Sequence, residues 1–102
     1  MEMAITGDPI SAEKAFEHGL VSRLSEKGKA AEVALELAER IARNAPLGVA
    51  ASKQLIRAST GCTEAEFWEA QKPHAIKVFA SEDSKEGPRA FAEKRAPKWS
   101  GR

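Results

Sequence analysis

Three residues near the carboxyl end of the chain have types and spacing that could bind a phosphate-bearing ligand. Phe91, Lys94 and Arg95 follow the spacing i, i+3 and i+4, which places them on one face of a helix. An aromatic ring beside two cations could hold an adenine and a phosphate. Alternatively, Lys94 and Arg95 only complement the negative end of a helix, where cations are common. Spacing alone leaves both interpretations open.

The charge distribution indicates a basic surface at the same end. Residues 85–102 contain six basic and two acidic side chains, a net charge of +4, whereas residues 1–84 have a net charge of −3. The formal net charge of the whole chain is only +1. This balance argues against a globally basic nucleic-acid-binding protein, which needs many phosphate contacts. A local basic end is therefore expected to meet a small ligand.

The other residue types that carry out catalysis form no recognisable pattern. The two histidines lack metal-ligand spacing, and a single cysteine excludes an intramolecular disulfide and a cysteine-based zinc site. Three glutamates on one predicted helix have the spacing of a solvated, ion-paired edge. We therefore predict no catalytic residue and no metal site. The residues given structural roles on these grounds are His18, His74, Cys62, Glu32, Glu36 and Glu39.

Length and composition predict one helical domain that gains stability from a partner. The chain has 102 residues, 42% hydrophobic and 30% charged, which is ordinary for a folded protein. Its predicted helix faces are rich in alanine, and alanine buries little apolar surface per residue. No run approaches the roughly 20 apolar residues of a membrane span, so no membrane contact is expected. One cysteine and no signal peptide favour a reducing, cytoplasmic location.

Helical periodicity predicts an all-α chain of about five helices with at most one short strand. The strand is predicted at Leu20–Leu24, where apolar residues nearly alternate. The amino-terminal Met1–Thr6 is apolar and has no signal for the start of a helix. The five helices are predicted at 12–18, 29–43, 46 to before Gly61, 64–79, and from Ser81 or Asp83 to about Arg95.

Several boundaries of these helices carry specific capping signals. Ser11 is a good N-cap, and Gly19 followed by Leu20 is typical of a Schellman end. Thr63 with Glu66 fits a capping box. Pro73 is predicted to kink or interrupt its helix. The Gly87–Pro88 pair favours a later start for the last helix.

Three segments, in this order, resemble the crotonase superfamily, the enoyl-CoA hydratases and isomerases. They are residues 6–21 (TGDPISAEKAFEHGLV), 38–46 (AERIARNAP) and 81–99 (SEDSKEGPRAFAEKRAPKW), of which the last is the most specific. The resemblance covers essentially the whole chain. It implies the C-terminal helical, oligomerisation region of the crotonase fold. Residues 1–27 would then come from the end of the spiral core, and residues 28–102 would form the oligomerisation and CoA-lid region.

The resemblance also implies an activity and partners. The family reaction is hydration of a 2-enoyl-CoA in fatty-acid oxidation, or a related thioester-enolate step, with acyl-CoA as substrate or ligand and no other cofactor. Relatives carry the oxyanion hole and the two catalytic glutamates in an N-terminal spiral core. We therefore expect no catalysis by this chain alone and a partner that supplies such a core. A homo-oligomer is also expected, since the family forms trimers and hexamers.

Four positions are implicated in ligand binding by the resemblance. Lys94 matches a lysine that meets the phosphates of CoA, and Phe91 matches a residue of its pocket. Phe79 and Ala75 are expected to line a pocket, although relatives often have an aromatic residue where Ala75 stands. The alternative for Phe79 and Phe91 is a place in the core. Three hypotheses follow: part of a longer or split enzyme, a stand-alone acyl-CoA-binding module, or an oligomerisation element without catalysis.

Overall fold

The computed structural model describes residues 2–102, which form six α-helices and no strand. The prediction of an all-α chain is confirmed. The chain divides into two compact units, residues 1–38 and 39–102. The predicted functional division after residue 27 stays a prediction. The helices are α1 (Glu2–Thr6), α2 (Ala12–Glu17), α3 (Ala30–Ala42), α4 (Pro46–Ala58), α5 (Glu64–Phe79) and α6 (Glu82–Ala92).

Local hydrogen bonds fix both ends of α2 in the first unit. The Ser11 hydroxyl accepts a hydrogen bond from the Lys14 amide at 3.2 Å, as an N-cap should. Gly19 has a φ of +70°. The Leu20 amide donates to the Ala15 carbonyl at 2.8 Å, and the Gly19 amide donates to the Phe16 carbonyl at 3.0 Å. These two bonds are the Schellman motif that the sequence predicts.

The predicted strand at Leu20–Leu24 is wrong, because the backbone there turns back to α2. The amides of Leu20 and Val21 both donate to the Ala15 carbonyl, at 2.8 and 3.4 Å. A strand needs a neighbouring strand for its backbone bonds, and residues 2–102 contain none. The short helix α1 was not predicted, because the sequence of residues 1–6 carries no signal for the start of a helix.

In the second unit, α4 packs against α5 and α5 packs against α6. Helix α4 starts at Pro46, where the missing N–H costs no hydrogen bond. The capping box of α5 is present: the Thr63 amide donates to Glu66 Oε2 at 2.8 Å, and the Glu66 amide donates to the Thr63 hydroxyl at 3.3 Å. The predicted interruption at Pro73 is wrong, because α5 continues to Phe79. Proline removes only one backbone hydrogen bond, and packing of α5 against α4 supports the helix.

Helix α6 begins after the first of its two predicted caps and ends earlier than the sequence predicts. Ser81 is its N-cap, and its hydroxyl accepts from the Ser84 amide at 3.2 Å. The helix therefore starts at Glu82, and Gly87–Pro88 lies within it. It ends at Ala92, with Glu93 as the C-cap. The predicted extension to Arg95 is wrong.

Residues 94–102, called here the C-terminal segment, run back along α6. The Glu82 amide donates to the main-chain oxygen of Arg102 at 2.7 Å. The indole Nε1 of Trp99 donates to the Arg43 carbonyl at 2.7 Å, which ties the segment to the residue after α3. A Cβ added to Gly87 would lie 3.5 Å from the Trp99 ring, so this ring covers the glycine face of α6.

The buried residues of the second unit are mostly polar. Among the described residues, only Ala90 is a buried apolar side chain, at 1% exposure. The buried polar residues are Ser81, Asp83 and Glu86, all at the start of α6 or within it. Burial therefore centres on the contact between α6 and the C-terminal segment. Within residues 2–102, no helix is both long and apolar enough to cross a bilayer.

Candidate ligand-binding site at the end of helix α6

A Schellman motif ends α6 and places Lys94 outside the helix. The Lys94 amide donates to the Phe91 carbonyl at 3.1 Å, and the Arg95 amide donates to the Ala90 carbonyl at 3.0 Å. Lys94 occupies the position after the C-cap, which most often holds glycine. The prediction that Phe91, Lys94 and Arg95 share one helix face is therefore wrong. The i, i+3, i+4 rule applies only inside a helix, and the helix ends at Ala92.

Lys94 adopts a left-handed backbone conformation. Its φ is +53°, and among the described residues it is the only non-glycine with a positive φ. Such a conformation costs a residue with a side chain about 1–2 kcal/mol. It persists where neighbouring contacts hold the backbone on both sides. The backbone of Lys94 is thus set by its surroundings.

A buried carboxylate supplies those surroundings. Glu86 is 5% exposed. Its Oε1 accepts from Arg95 Nη1 at 2.6 Å and from the Lys98 amide at 2.8 Å, and its Oε2 accepts from Arg95 Nη2 at 3.1 Å and Arg89 Nε at 3.1 Å. The hydrogen bonds from Arg95, the Lys98 amide and Arg89 hold the pKa of Glu86 well below its usual range. The same contact with Glu86, followed by that with Glu93, raises the pKa of Arg95.

A second buried carboxylate binds the far end of the C-terminal segment. Asp83 is 4% exposed. Its Oδ1 accepts from the Ser100 amide at 2.7 Å and the Ser100 hydroxyl at 3.0 Å, and its Oδ2 accepts from the Gly101 amide at 3.0 Å. These donors, the Ser100 amide foremost, lower the pKa of Asp83. Two carboxylates on α6 therefore hold the segment at two points.

These ion pairs decide which cations of the basic end are available to a ligand. Arg89 and Arg95 both pair with Glu86, and Lys85 pairs with Glu82 at 2.9 Å. Lys94, Lys98 and Arg102 are exposed and form no salt bridge among residues 2–102. Lys94 is also the one attached directly to the end of α6. The structure therefore leaves Lys94 as the leading cation for an anionic ligand.

The aromatic candidates are exposed rather than buried in a core. The Phe91 ring is 88% exposed and the Phe79 ring 79% exposed. The alternative of a core position is wrong for both rings within the described chain. Phe91 lies next to Lys94 through the backbone bond at the end of α6. Ala75, partly buried, and Phe79 lie one turn apart on α5, and their role in a pocket stays a prediction.

Three of the residues with predicted structural roles have local partners. His18 is the C-cap of α2, and the Cys62 thiol donates to the Ser59 carbonyl at 3.4 Å. Glu32 pairs with Lys29 at 3.3 Å, not with the arginines that follow it. Within residues 2–102, no three side chains of the metal-binding types come together.

Sequence reasoning missed Asp83 and Glu86 as residues that shape the site. In the sequence they are two acids in or next to a basic stretch, and apart from Arg89 their partners lie 9 to 18 residues away. The pattern offered one usable signal: Glu86 is one of only two acids in residues 85–102. A lone acid among cations is a candidate centre for ion pairing.

Comparison with known proteins assigns the family. The model of the enoyl-CoA hydratase/isomerase family matches residues 1–102. A carnitinyl-CoA dehydratase of Salmonella typhi is 42% identical over 105 residues, and an enoyl-CoA hydratase of Mycobacterium tuberculosis is 45% identical over 101 residues. Both alignments cover 99% of this chain, but 40% and 38% of those proteins.

The solved structures give the same result. The crystal structure of an enoyl-CoA hydratase from Mycobacterium tuberculosis H37Rv matches with a TM-score of 0.95 and 46% identity, over 100% of this chain and 40% of that one. An enoyl-CoA hydratase from Mycobacterium marinum matches equally well. The chain thus spans about two fifths of the length of these relatives, and it belongs to the enoyl-CoA hydratase/isomerase family of the crotonase superfamily.

Proposed function

We propose that the chain binds a coenzyme A thioester at the end of α6 and contributes this contact to an enoyl-CoA hydratase/isomerase family protein. The observation that carries the proposal is that Lys94 is exposed, forms no salt bridge within residues 2–102, and donates a backbone hydrogen bond to the exposed Phe91. An ammonium group forms strong, charge-assisted hydrogen bonds to phosphate oxygens. An exposed aromatic ring offers a face for the adenine or for the acyl part of the ligand. The names of the relatives, which act on CoA thioesters, support this ligand class.

We further propose that the chain does not hydrate a 2-enoyl-CoA by itself. Hydration needs a group that stabilises the thioester enolate and carboxyl groups that transfer protons. The buried carboxylates among the described residues, Asp83 and Glu86, accept hydrogen bonds from the C-terminal segment, and their lowered pKa makes them poor proton donors. The reacting groups would then come from polypeptide that corresponds to the rest of the relatives' length, carried by the same or a second chain.

Charge reversal at Lys94 tests the ligand site. Titration of the chain with CoA by calorimetry is expected to show binding that Lys94→Glu weakens by at least about tenfold, because a phosphate contact becomes a repulsion. Lys53→Glu is the matched control: it makes the same charge change at an exposed position on α4 and is expected to change the affinity less than about twofold.

Two results would contradict this proposal. Equal affinities for the wild type and Lys94→Glu would remove Lys94 from the site, and equal weakening by both variants would indicate only a net-charge effect. The same samples, incubated with a short 2-enoyl-CoA, are expected to show no hydration. A measurable rate from the pure chain would refute the assignment of the reacting groups to other polypeptide.

Self-association is a second candidate function, and the exposed apolar side chains favour it. Large apolar residues with at least two thirds of their surface exposed occur in both units. Exposed apolar side chains mark protein–protein contacts where they form contiguous patches. We propose that further copies of the chain cover some of these faces. The residues are Ile5, Ile56, Ile76, Phe79 and Phe91.

Sedimentation velocity tests this second candidate. The expected result is a species several times heavier than the 11.0 kDa monomer, whose fraction increases with protein concentration. Association through apolar faces should persist at high salt, whereas association through charges should weaken. A single monomeric species at high protein concentration would show that the exposed faces do not bind other copies.

A further inference from the structure

The backbone of Lys94 is fixed by contacts on both sides, although its side chain forms no salt bridge in the part of the chain that the structure describes. On one side, its amide and that of Arg95 donate to the last turn of α6. On the other side, the chain from Arg95 to Lys98 is held by Glu86. A left-handed residue returns to a more favourable conformation when such contacts are released. The direction of the Lys94 side chain therefore depends on the contacts that hold Arg95 and Lys98.

Glu86 is the residue that makes both of these contacts. Its two oxygens accept hydrogen bonds from the Arg95 guanidinium at 2.6 and 3.1 Å, and Oε1 also accepts one from the Lys98 amide at 2.8 Å. A two-point grip of this kind fixes orientation as well as distance. Glu86 is buried, so a ligand does not reach it, and it can affect a ligand only through the residues that it holds.

We infer that Glu86 is a positioning residue for the ligand phosphate contact of Lys94, which it orients by clamping Arg95 and the Lys98 amide. This inference rests on the proposed function, and it goes further by assigning a role to a residue that touches no ligand. Its electrostatic consequence is counter-intuitive. Removal of a negative charge near the site should strengthen phosphate binding, because it relieves a Coulomb repulsion. Loss of the hydrogen bonds from Arg95 and the Lys98 amide should instead weaken the Lys94 contact.

A double-mutant cycle separates positioning from a general loss of stability. The affinity of the full 102-residue chain for CoA is measured with and without Lys94→Met, in the wild type and in Glu86→Gln. In the wild type, Lys94→Met is expected to weaken binding about tenfold. In the Glu86→Gln background, Lys94→Met is expected to weaken CoA binding by less than about twofold, because the Lys94–phosphate contact is already lost. Asp83→Asn is the matched control, because it disturbs the far end of the C-terminal segment. In the Asp83→Asn background, Lys94→Met should still weaken CoA binding about tenfold.

The outcomes distinguish this inference from the proposed function. If Lys94→Met costs the same in Glu86→Gln as in the wild type, the positioning role is wrong while the Lys94 contact stands. If Lys94→Met has no effect in the wild type, the proposed contact itself fails, and the positioning role fails with it. If Asp83→Asn reduces the effect of Lys94→Met on CoA affinity as much as Glu86→Gln does, the effect of Glu86 is structural only and the positioning role is wrong. Should circular dichroism show that Glu86→Gln is unfolded, Arg95→Lys repeats the cycle, because it keeps the charge and removes the two-point grip.

Discussion

Replacing Asp83 with alanine is expected to release the far end of the C-terminal segment from α6 and to lower the thermal stability of the chain substantially. The substitution removes the acceptor for three hydrogen bonds, from the Ser100 amide, the Ser100 hydroxyl and the Gly101 amide. Hydrogen bonds to a charged group are stronger than neutral ones. The expected fall in Tm exceeds that of Thr63→Ala, which loses a helix cap worth about 1 kcal/mol.

Amide hydrogen exchange makes this test specific to the segment. In Asp83→Ala, exchange at Ser100 and Gly101 is expected to accelerate about tenfold or more, because local opening no longer breaks bonds to the carboxylate. Thr63→Ala disturbs only the start of α5 and should leave both amides protected. Asp83→Asn keeps one oxygen acceptor, so an intermediate result is expected. Unchanged exchange at both amides in Asp83→Ala would show that other contacts hold the segment.

Acidification is expected to destabilise the chain because two buried carboxylates must stay ionised in the folded state. The pKa values of Glu86 and Asp83 are lowered by their donors from the ordinary 4.5 and 3.8. Below these ordinary values the unfolded chain takes up protons that the folded chain does not. Stability is therefore fully present above about pH 5 and falls progressively as the pH drops toward the lowered values.

Urea denaturation at a series of pH values measures this effect. For the wild type, the free energy of unfolding should be level from pH 7 to about pH 5 and then decline steeply. Glu86→Gln is expected to start lower and to decline less, since it has lost one linked group. Glu69→Gln removes an exposed carboxylate and should follow the wild-type curve. A wild-type curve that stays level down to pH 3 would show that these carboxylates do not stabilise the fold.

The helix boundaries that sequence reasoning predicted are those set by neighbouring residues. Ser11, Gly19 and the Thr63–Glu66 box act over three to five residues, so their chemistry is visible in the sequence. Ser81 was one of two alternatives for the cap of α6, and the structure selects it. The sequence of residues 1–6 carries no signal for the start of a helix, and an alternation at Leu20–Leu24 predicts a strand only where a second strand is present. Both were therefore misjudged.

The candidate site was only half predictable, because its shape depends on contacts between distant residues. The types of Phe91 and Lys94 indicated a ligand, but the helix face assumed for them does not exist. The end of α6 is fixed by Glu86 acting on Arg95 and Lys98, across 9 and 12 residues. No local sequence pattern predicts a lysine in a left-handed conformation, because the residue after a helix C-cap is usually glycine.

The return of the C-terminal segment along α6 decides where an attached label would sit. The main-chain oxygen of Arg102 bonds to the Glu82 amide, at the opposite end of an 11-residue helix from Lys94. At about 1.5 Å per residue, that separation is roughly 16 Å. A fluorophore or affinity tag joined after Arg102 would therefore emerge beside the corner between α5 and α6. It would report on that corner and leave the lysine end of the helix unobstructed.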